Sequence, residues 1–338
     1  MRIPKIAVEE HFVPPYAIDS YEKFYPPERW PTLRQALLDI HGQRLASMDE
    51  NGIEMMLLSL SSAGIQGIPD KRQAVDAARR ANDFLAEQVA KRPDRFQALA
   101  ALPLQDPDAA TRELVRCIKE LGFKGALING FSQIDTEDSM VYYDLPQYRP
   151  FWATAESLGA PCYLHPRYPV EKRRDIEGHP WLIGAVWSFG VETATHALRL
   201  ITSGLFDEYP KLTLILGHLG EMLPGVIWRI DHRLKVFPRG VPMKKTALDC
   251  LQNNFYLTTS GNFCTRTLID TILTVGADRI LFAADHPFEK MGEGATWFDN
   301  LEGISETDRL KIARTNSEKL FQLGTPQERR AGSAALIG

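Results

Sequence analysis

The stretch IAVEEHF, residues 6–12, is a short apolar run that ends in two carboxylates and an imidazole. Side chains alternate between the two faces of a strand, so Glu9 and His11 point the same way and Glu10 points the other. Glu9 and His11 can then reach one point, as metal ligands must, and we expect Glu10 to enter a structural ion pair. Taken alone, the stretch also fits a loop that begins at Glu9 and carries three solvated side chains.

Short apolar runs alternate with longer segments of helical period along the rest of the chain. The candidate strands are residues 3–8, 54–60, 97–102, 124–128, 161–165, 212–217, 255–259 and 279–284. Several of them are apolar on both faces, which is typical of a parallel sheet covered by helices. This α/β pattern predicts a single closed (β/α)₈ TIM barrel of the metal-dependent hydrolase type. A doubly wound open sheet is the alternative, but no GxGxxG follows the first strand and no second-domain linker appears.

The composition is that of a globular protein with a substantial core. Of 338 residues, 44% are apolar and 24% charged, and the net charge is −4 with both signs mixed along the chain. That balance gives no electrostatic reason to expect binding to nucleic acid or a membrane surface. No run is long enough to span a bilayer, no signal peptide is evident, and the four cysteines form no CxxC pair. We expect a cytoplasmic protein with one catalytic domain over residues 1–338 and a tail from about residue 324.

Polar side chains stand at the ends of several predicted strands, where the active site of such a barrel lies. The fifth strand ends in His165 and the eighth in Asp285, which follows five apolar or small residues. Alone, His165 is more often a core or loop residue, and Asp285 a turn aspartate. Together with Glu9 and His11 they supply two imidazoles and two carboxylates, which suits one divalent ion such as Zn²⁺ or Mn²⁺. His286 would lie on the opposite face, so we do not count it as a ligand.

The sixth strand ends in a third histidine of interest, His218, in the sequence GHLGE. The flanking glycines let the backbone approach a ligand closely. Glu221, three residues on, is placed to orient the imidazole. Its alternative role is charge matching at a helix N-terminus, and the two roles are compatible.

These motifs resemble the amidohydrolase-superfamily decarboxylases, the group that contains aminocarboxymuconate-semialdehyde decarboxylase and the hydroxybenzoate decarboxylases. The resemblance runs from VEEHF through LHPR, GHLGE and TTSGNF to EKLFQLG, which is nearly the whole chain. Within the group it is strongest to the enzymes that act on γ-resorcylate (2,6-dihydroxybenzoate). The stretches that carry this are RRANDFLAEQVAKRPDRFQALAALPLQDPDAA, GFKGALINGFSQ, YYDLPQYRPFW and WRIDHR.

The resemblance implies roles for the strand-end residues. One divalent metal would be bound by Glu9, His11, His165 and Asp285. His218 and Glu221 would form a catalytic pair. Asp285 is our first choice for the group that protonates the substrate carbon, and His218 is the alternative. Binuclear members of the superfamily place a bridging lysine at the end of strand four. Here that strand ends I-N-G with Lys124 at its opposite end, which favours one metal.

Three further residues are assigned to the substrate by resemblance alone. Arg229 of WRIDHR and Asn129 of GALIN would belong to the substrate environment, and Phe24 would pack on the substrate ring. The chain departs from the family pattern at His286, where relatives often have tryptophan, tyrosine or serine. Its early loop and the segment LHPRYPVEKRRD also differ, so the ring substituents accepted here stay open.

The resemblance implies a reversible, non-oxidative decarboxylation of an ortho-hydroxybenzoate, without an organic cofactor. The best fit is 2,6-dihydroxybenzoate, which would give resorcinol and CO₂ in aromatic compound catabolism. The alternatives are decarboxylases of 2,3-dihydroxybenzoate, salicylate, orsellinate or 5-carboxyvanillate, a mononuclear lactonase or amidase, and a non-catalytic binding barrel. A small aromatic carboxylate is the expected partner, with the chain assembled as a dimer or homotetramer.

Overall fold

A computed structural model describes residues 3–170 and 176–324. Eight parallel strands, β1 to β8, are paired in chain order: Lys5–Phe12, Ile53–Leu60, Phe96–Ala101, Gly125–Asn129, Cys162–His165, Leu214–Leu216, Phe255–Thr258 and Ile280–Leu281. Backbone hydrogen bonds from the His11 amide to the His286 carbonyl (2.7 Å) and from the Asp285 amide to the Glu9 carbonyl (3.1 Å) join β1 to the segment after β8. The predicted α/β barrel is confirmed. The predicted tail lies outside the described residues, except for Gly324.

Helices cover the outside of the barrel. The helical segments α1 to α14 are Trp30–Leu38, Gln43–Asn51, Lys71–Lys91, Pro107–Lys119, Arg149–Leu158, Ser188–Thr202, Leu205–Glu208, His218–Glu221, Leu223–Val236, Ala247–Asn254, Thr265–Val275, Met291–Asp299, Glu306–Leu310 and Asn316–Leu320. Of these, α8 is a single turn whose residues have positive φ. Shorter 3₁₀ turns are Ile18–Phe24, Gly64–Gly67, Pro146–Tyr148, Pro180–Leu182, Gly184–Val186 and Ala277–Arg279, and Lys311–Thr315 is a π-helical turn. Within the described ranges, no helix combines the length and apolarity needed to cross a membrane.

The core has two layers, as alternation along buried strands requires. Inside the barrel, Ile6 and Val8 of β1 pack with inward side chains of the other strands, and Phe321 and Leu323 belong to the same cluster. The larger layer lies between the outer face of the strands and the helices, where the α4 helix buries Leu114.

A β-bulge in β1 decides which way its polar residues face. Ala7 pairs with Met56 and Glu10 with Leu58, so β1 carries one residue more than β2 over this interval. Val8 packs inside the barrel, and strict alternation would therefore turn Glu9 outward. The extra residue shifts the phase, which re-aims Glu9 and His11 into the barrel mouth. The strand also continues to Phe12, four residues beyond the predicted end, so the loop alternative is wrong.

Candidate metal centre

Four of the predicted site residues converge at the carboxyl ends of the strands. One nitrogen or oxygen atom from each of Glu9, His11, His165 and Asp285 lies within 4.8 Å of the other three, and all four residues are buried. His165 Nε2 lies 3.3 Å from Glu9 Oε1, and His11 Nε2 lies 3.4 Å from Asp285 Oδ1. The residues come from β1, β5 and the segment just after β8, as the strand-end argument predicted.

The chemistry of these four side chains fits a divalent cation. Glu9 Oε1, His11 Nε2 and Asp285 Oδ1 are buried and make no hydrogen bond within the described residues, although buried polar atoms are normally paired. Burial lowers the pKa of His11, and its neighbour His165 lowers it further. Burial would raise the pKa of Glu9, but the imidazoles of His218, His165 and His11 together lower it. Deprotonated imidazole and carboxylate groups are the forms that bind metal.

Each imidazole is oriented by a partner on its other nitrogen. Ser59 Oγ lies 3.2 Å from His11 Nδ1, and Asn129 Oδ1 lies 2.9 Å from His165 Nδ1. Such bonds favour the tautomer with Nδ1 protonated, which leaves Nε2 free to bind a cation. Asn129 also donates from Nδ2 to the Leu60 carbonyl (3.2 Å). Asn129 therefore lies behind His165, and its predicted contact with substrate stays a prediction.

The backbone around Asp285 is held by Glu10. The two Glu10 carboxylate oxygens accept hydrogen bonds from the amides of Ala284 (2.9 Å) and His286 (3.1 Å), the residues on either side of Asp285. Asp285 itself has a left-handed backbone conformation (φ 62°). Burial raises the pKa of Glu10 to about 8, while the two amides and the nearby Arg44 guanidinium act in the opposite direction. Glu10 thus faces away from the four converging atoms, as alternation predicted, and His286 is not among them.

His218 and Glu221 form a pair beside the cluster. His218 Nδ1 and Glu221 Oε1 are 2.7 Å apart, across a tight turn in which both residues have positive φ. The other nitrogen, Nε2, lies 3.7 Å from Asp285 Oδ2 and 3.8 Å from Glu9 Oε1. Burial alone would lower the pKa of His218, but the carboxylates of Glu221, Glu9 and Asp285 raise it well above its usual range. The imidazole is thus aimed at the converging carboxylates.

A cavity of about 490 Å³ opens over these groups. Its polar wall includes His218, Glu221 and Asp285, together with Asn262 and Glu289, which sequence reasoning missed. The lining also contains Ala185, Val186, Trp187, Phe189, Gly190, Met222, Gly261 and Thr267. Apolar walls with a few convergent polar groups are typical of sites for small molecules.

None of the three predicted substrate residues lines this cavity. Phe24 stacks on Tyr168, with ring centroids 5.7 Å apart, and Tyr168 in turn contacts Phe189 of the cavity wall. Phe24 instead lines a separate space of about 350 Å³. Arg229 is exposed on α9 and is absent from the wall. Their predicted roles stay predictions.

A group of hydroxyls around Glu9 was also missed. Tyr163 of β5, and Thr258 and Ser260 at the end of β7, hydrogen-bond to Glu9 Oε2. The strand-seven end reads T-T-S. His165 was selected by the rule that polar residues at the carboxyl ends of barrel strands form the site, which we call the strand-end rule. The same rule would have selected Thr258 and Ser260.

Known proteins that are similar to this chain in sequence and structure have the same architecture. A family model described as "Amidohydrolase" matches residues 9–323. The γ-resorcylate decarboxylase of Rhizobium sp. (strain MTP-10005) is 56% identical over 323 residues, which covers 94% of this chain and 98% of the relative. A crystal structure of 2,6-dihydroxybenzoate decarboxylase complexed with 2,6-dihydroxybenzoate has a TM-score of 0.92 at 56% identity, covering 96% of this chain and 100% of that one. The dihydroxybenzoic acid decarboxylase from Polaromonas sp. JS666, with bound manganese and the inhibitor 2-nitroresorcinol, has a TM-score of 0.92 at 55% identity, covering 96% and 98%.

Proposed function

This chain belongs to the amidohydrolase family, and on that premise we propose that it is a carboxy-lyase that converts 2,6-dihydroxybenzoate to resorcinol and CO₂. The observation that carries the proposal is the convergence of four potential metal ligands, one of which, Asp285, lines a cavity together with His218. The identity of more than half to γ-resorcylate decarboxylases over 94% of the chain supports this substrate.

The chemistry requires a proton before it releases CO₂. Direct loss of CO₂ from an aromatic ring would leave an electron pair in a ring σ-orbital, where nothing delocalises it. Protonation of the carboxylate-bearing carbon avoids this, because breaking the carbon–carbon bond then returns its electron pair to the ring and restores aromaticity. An ionised ortho hydroxyl assists, since it makes that carbon basic.

We propose Glu9, His11, His165 and Asp285 as the residues that would hold one divalent ion. When bound, the ion would orient the carboxylate and ortho oxygen of the substrate and lower the phenol pKa. The manganese in the structure of the Polaromonas relative makes Mn²⁺ our first choice and Zn²⁺ our second.

The proton would come from Asp285, with His218 as its source. Asp285 Oδ1 faces His11 Nε2 (3.4 Å), whereas Oδ2 faces His218 Nε2 (3.7 Å), so the two carboxylate oxygens serve different sides of the site. Glu221 fixes Nδ1 of His218 and so aims Nε2 at Asp285. A proton that leaves Asp285 for carbon can be replaced through His218, which borders the cavity. Decarboxylation by this route needs no oxidant, and a high bicarbonate concentration would drive the reverse reaction, carboxylation of resorcinol.

We also propose a homo-oligomer, a dimer or tetramer, that buries the exposed face of α9. Met222, Val226 and Trp228 on or beside this helix are 45%, 45% and 72% exposed, and Val186 across the cavity mouth is 71% exposed. Apolar surface of this kind marks contact sites. Arg229 lies on the same helix, so its predicted role toward substrate depends on what covers this face. Sedimentation of wild type against Trp228→Asp tests the assembly, and a monomeric wild type would contradict it.

Two further proposals concern the domain organisation of the enzyme and its location in the cell. We propose a single catalytic domain in the cytoplasm. All four cysteines are unpaired, which supports a reducing compartment.

The function is tested with a panel of ortho-hydroxybenzoates and purified protein loaded with Mn²⁺ or Zn²⁺. We expect CO₂ release from 2,6-dihydroxybenzoate with a kcat/KM above that for 2,3-dihydroxybenzoate, salicylate, orsellinate and 5-carboxyvanillate. The Asp285→Asn variant should release none. Cleavage of lactones or anilides without CO₂ release from any benzoate would show a hydrolase instead. Inactivity on every compound would refute the proposed function.

A further inference from the structure

One oxygen of Glu9 is surrounded by hydroxyl groups, and the other makes no hydrogen bond within the described residues. Tyr163, Thr258 and Ser260, which we call the hydroxyl cluster, all hydrogen-bond to Oε2. All three residues are fully buried. Oε1 instead faces His165 Nε2 at 3.3 Å, toward the point where the four potential ligands meet. The two oxygens of this carboxylate are therefore in different chemical environments.

Every hydroxyl hydrogen of the cluster has an acceptor within hydrogen-bonding distance. Each hydroxyl donates one hydrogen, and those of Tyr163 and Ser260 go to Glu9 Oε2. Thr258 Oγ1 lies 2.8 Å from the Tyr163 oxygen, 2.9 Å from Ser260 Oγ and 3.2 Å from Glu9 Oε2, so its hydrogen has three acceptors. Ser260 Oγ accepts the backbone N–H of His218 (3.2 Å) as well. The same cluster thus contacts Glu9 and His218.

A glycine leaves room for this arrangement. A Cβ atom on Gly217 would lie 3.1 Å from Glu9 Oε2 and 3.2 Å from both Ser260 Oγ and the Tyr163 oxygen. These distances are shorter than ordinary carbon–oxygen contacts. Any larger side chain at position 217 would push into the cluster, directly before His218.

We propose that the hydroxyl cluster positions Glu9 as a ligand through Oε1 alone and couples that ligand to His218. The cluster fixes the carboxylate rotamer, because Glu9 cannot turn without breaking its bonds to Tyr163 and Ser260. Tyr163, Thr258 and Ser260 are thus positioning residues. The inference rests on the proposed function, since it assumes that Glu9 binds the ion.

The first test compares two buried Tyr→Phe variants. Tyr163→Phe removes a donor to Glu9, whereas the matched control Tyr148→Phe removes a buried hydroxyl that donates to the Leu104 carbonyl (2.9 Å). Metal-free protein is titrated with Mn²⁺, free ion is followed by electron paramagnetic resonance, and the thermal midpoint of the metal-free form is recorded. We expect both variants to lose some thermal stability. Only Tyr163→Phe should raise the Mn²⁺ dissociation constant, by roughly 10- to 100-fold.

A second test uses Ser260→Ala, which also serves if Tyr163→Phe fails to fold. It should weaken Mn²⁺ binding in the same direction, and at saturating Mn²⁺ it should lower kcat, because the His218 amide loses its acceptor. Unchanged Mn²⁺ affinity in the folded variants, or equal weakening in Tyr148→Phe, would overturn the inference. Since these affinities are measured without substrate, a wild type that binds Mn²⁺ but releases no CO₂ would refute only the proposed function. A wild type that does not bind Mn²⁺ would overturn the inference as well.

Discussion

Replacement of Asn129 by leucine separates two roles for this residue. The side chain accepts from His165 Nδ1 (2.9 Å) and donates to the Leu60 carbonyl (3.2 Å), both in buried surroundings. Leucine has a similar shape but makes neither bond. If Asn129 orients His165, the variant should bind Mn²⁺ more weakly. If Asn129 contacts the substrate instead, KM should rise while Mn²⁺ affinity is unchanged.

The magnitude follows from the two lost hydrogen bonds. Each leaves a buried polar group without a partner, at about 1–3 kcal/mol, so the metal-free protein should lose roughly 2–6 kcal/mol in its free energy of unfolding. Loss of a partner of a ligating histidine typically weakens metal binding by about 10- to 100-fold, which is about 1.4–2.7 kcal/mol. We therefore expect Asn129→Leu to combine a stability loss with a clear loss of Mn²⁺ affinity.

The assay pairs urea unfolding of metal-free protein with Mn²⁺ titration. The matched control is Asn254→Leu, because Asn254 is also buried and donates to the carbonyls of Pro210 (3.0 Å) and Leu212 (2.9 Å). The control should lose stability and keep its Mn²⁺ affinity. Wild-type Mn²⁺ affinity in Asn129→Leu, at any KM, would refute the role assigned to the His165 contact.

Three further predictions concern proton transfer, metal and pH. His218→Asn should lower kcat by about 10²- to 10⁴-fold, while metal analysis should show a full complement of bound Mn²⁺. Near-normal turnover would exclude His218 from proton transfer. Removal of metal with a chelator should lower the thermal midpoint, because Mn²⁺ at 100 times its dissociation constant adds about 2.7 kcal/mol of stability; an unchanged midpoint would contradict a metal site in the folded protein. Burial, with a smaller effect of Arg199, lowers the pKa of His196 to about 3. Below about pH 6.5, His196 therefore binds a proton in the unfolded chain but not in the native state. Unfolding free energy should therefore fall by about 1.4 kcal/mol per pH unit from this group as pH drops toward 3, and His196→Gln, compared by urea unfolding at several pH values, should show a shallower fall.

The strand-end rule found the candidate ligands because it depends only on topology. Once the chain is known to be a parallel barrel, the residues that end β1, β5 and β8 must share one mouth, and Glu9, His165 and Asp285 do so. The rule also placed His218 beside them. Neither result needs knowledge of side-chain rotamers.

Details that depend on orientation were beyond the sequence. Asn129 ends β4 and so reaches the mouth, but only coordinates show that its amide turns to His165. Phe24 and Arg229 lie in a loop-borne 3₁₀ turn and on an outer helix, whose positions strand topology does not determine. Strand limits also shifted: the eighth strand, predicted as residues 279–284, has ladder pairing only over Ile280–Leu281. The residues that follow make backbone hydrogen bonds to β1.

The extra residue in β1 divides this strand into two parts that place different demands on the inward side chains. Up to Val8, the inward side chains fill the barrel interior, so their volume matters most. From Glu9 onward, the inward side chains reach the barrel mouth, so their donor atoms matter most. A change in one part need not disturb the other, so the mouth can acquire new ligands while the packing of the barrel interior is kept. Deleting Val8 would remove the bulge, and Glu9 would then take the inward position opposite Leu57, within the packed interior of the barrel.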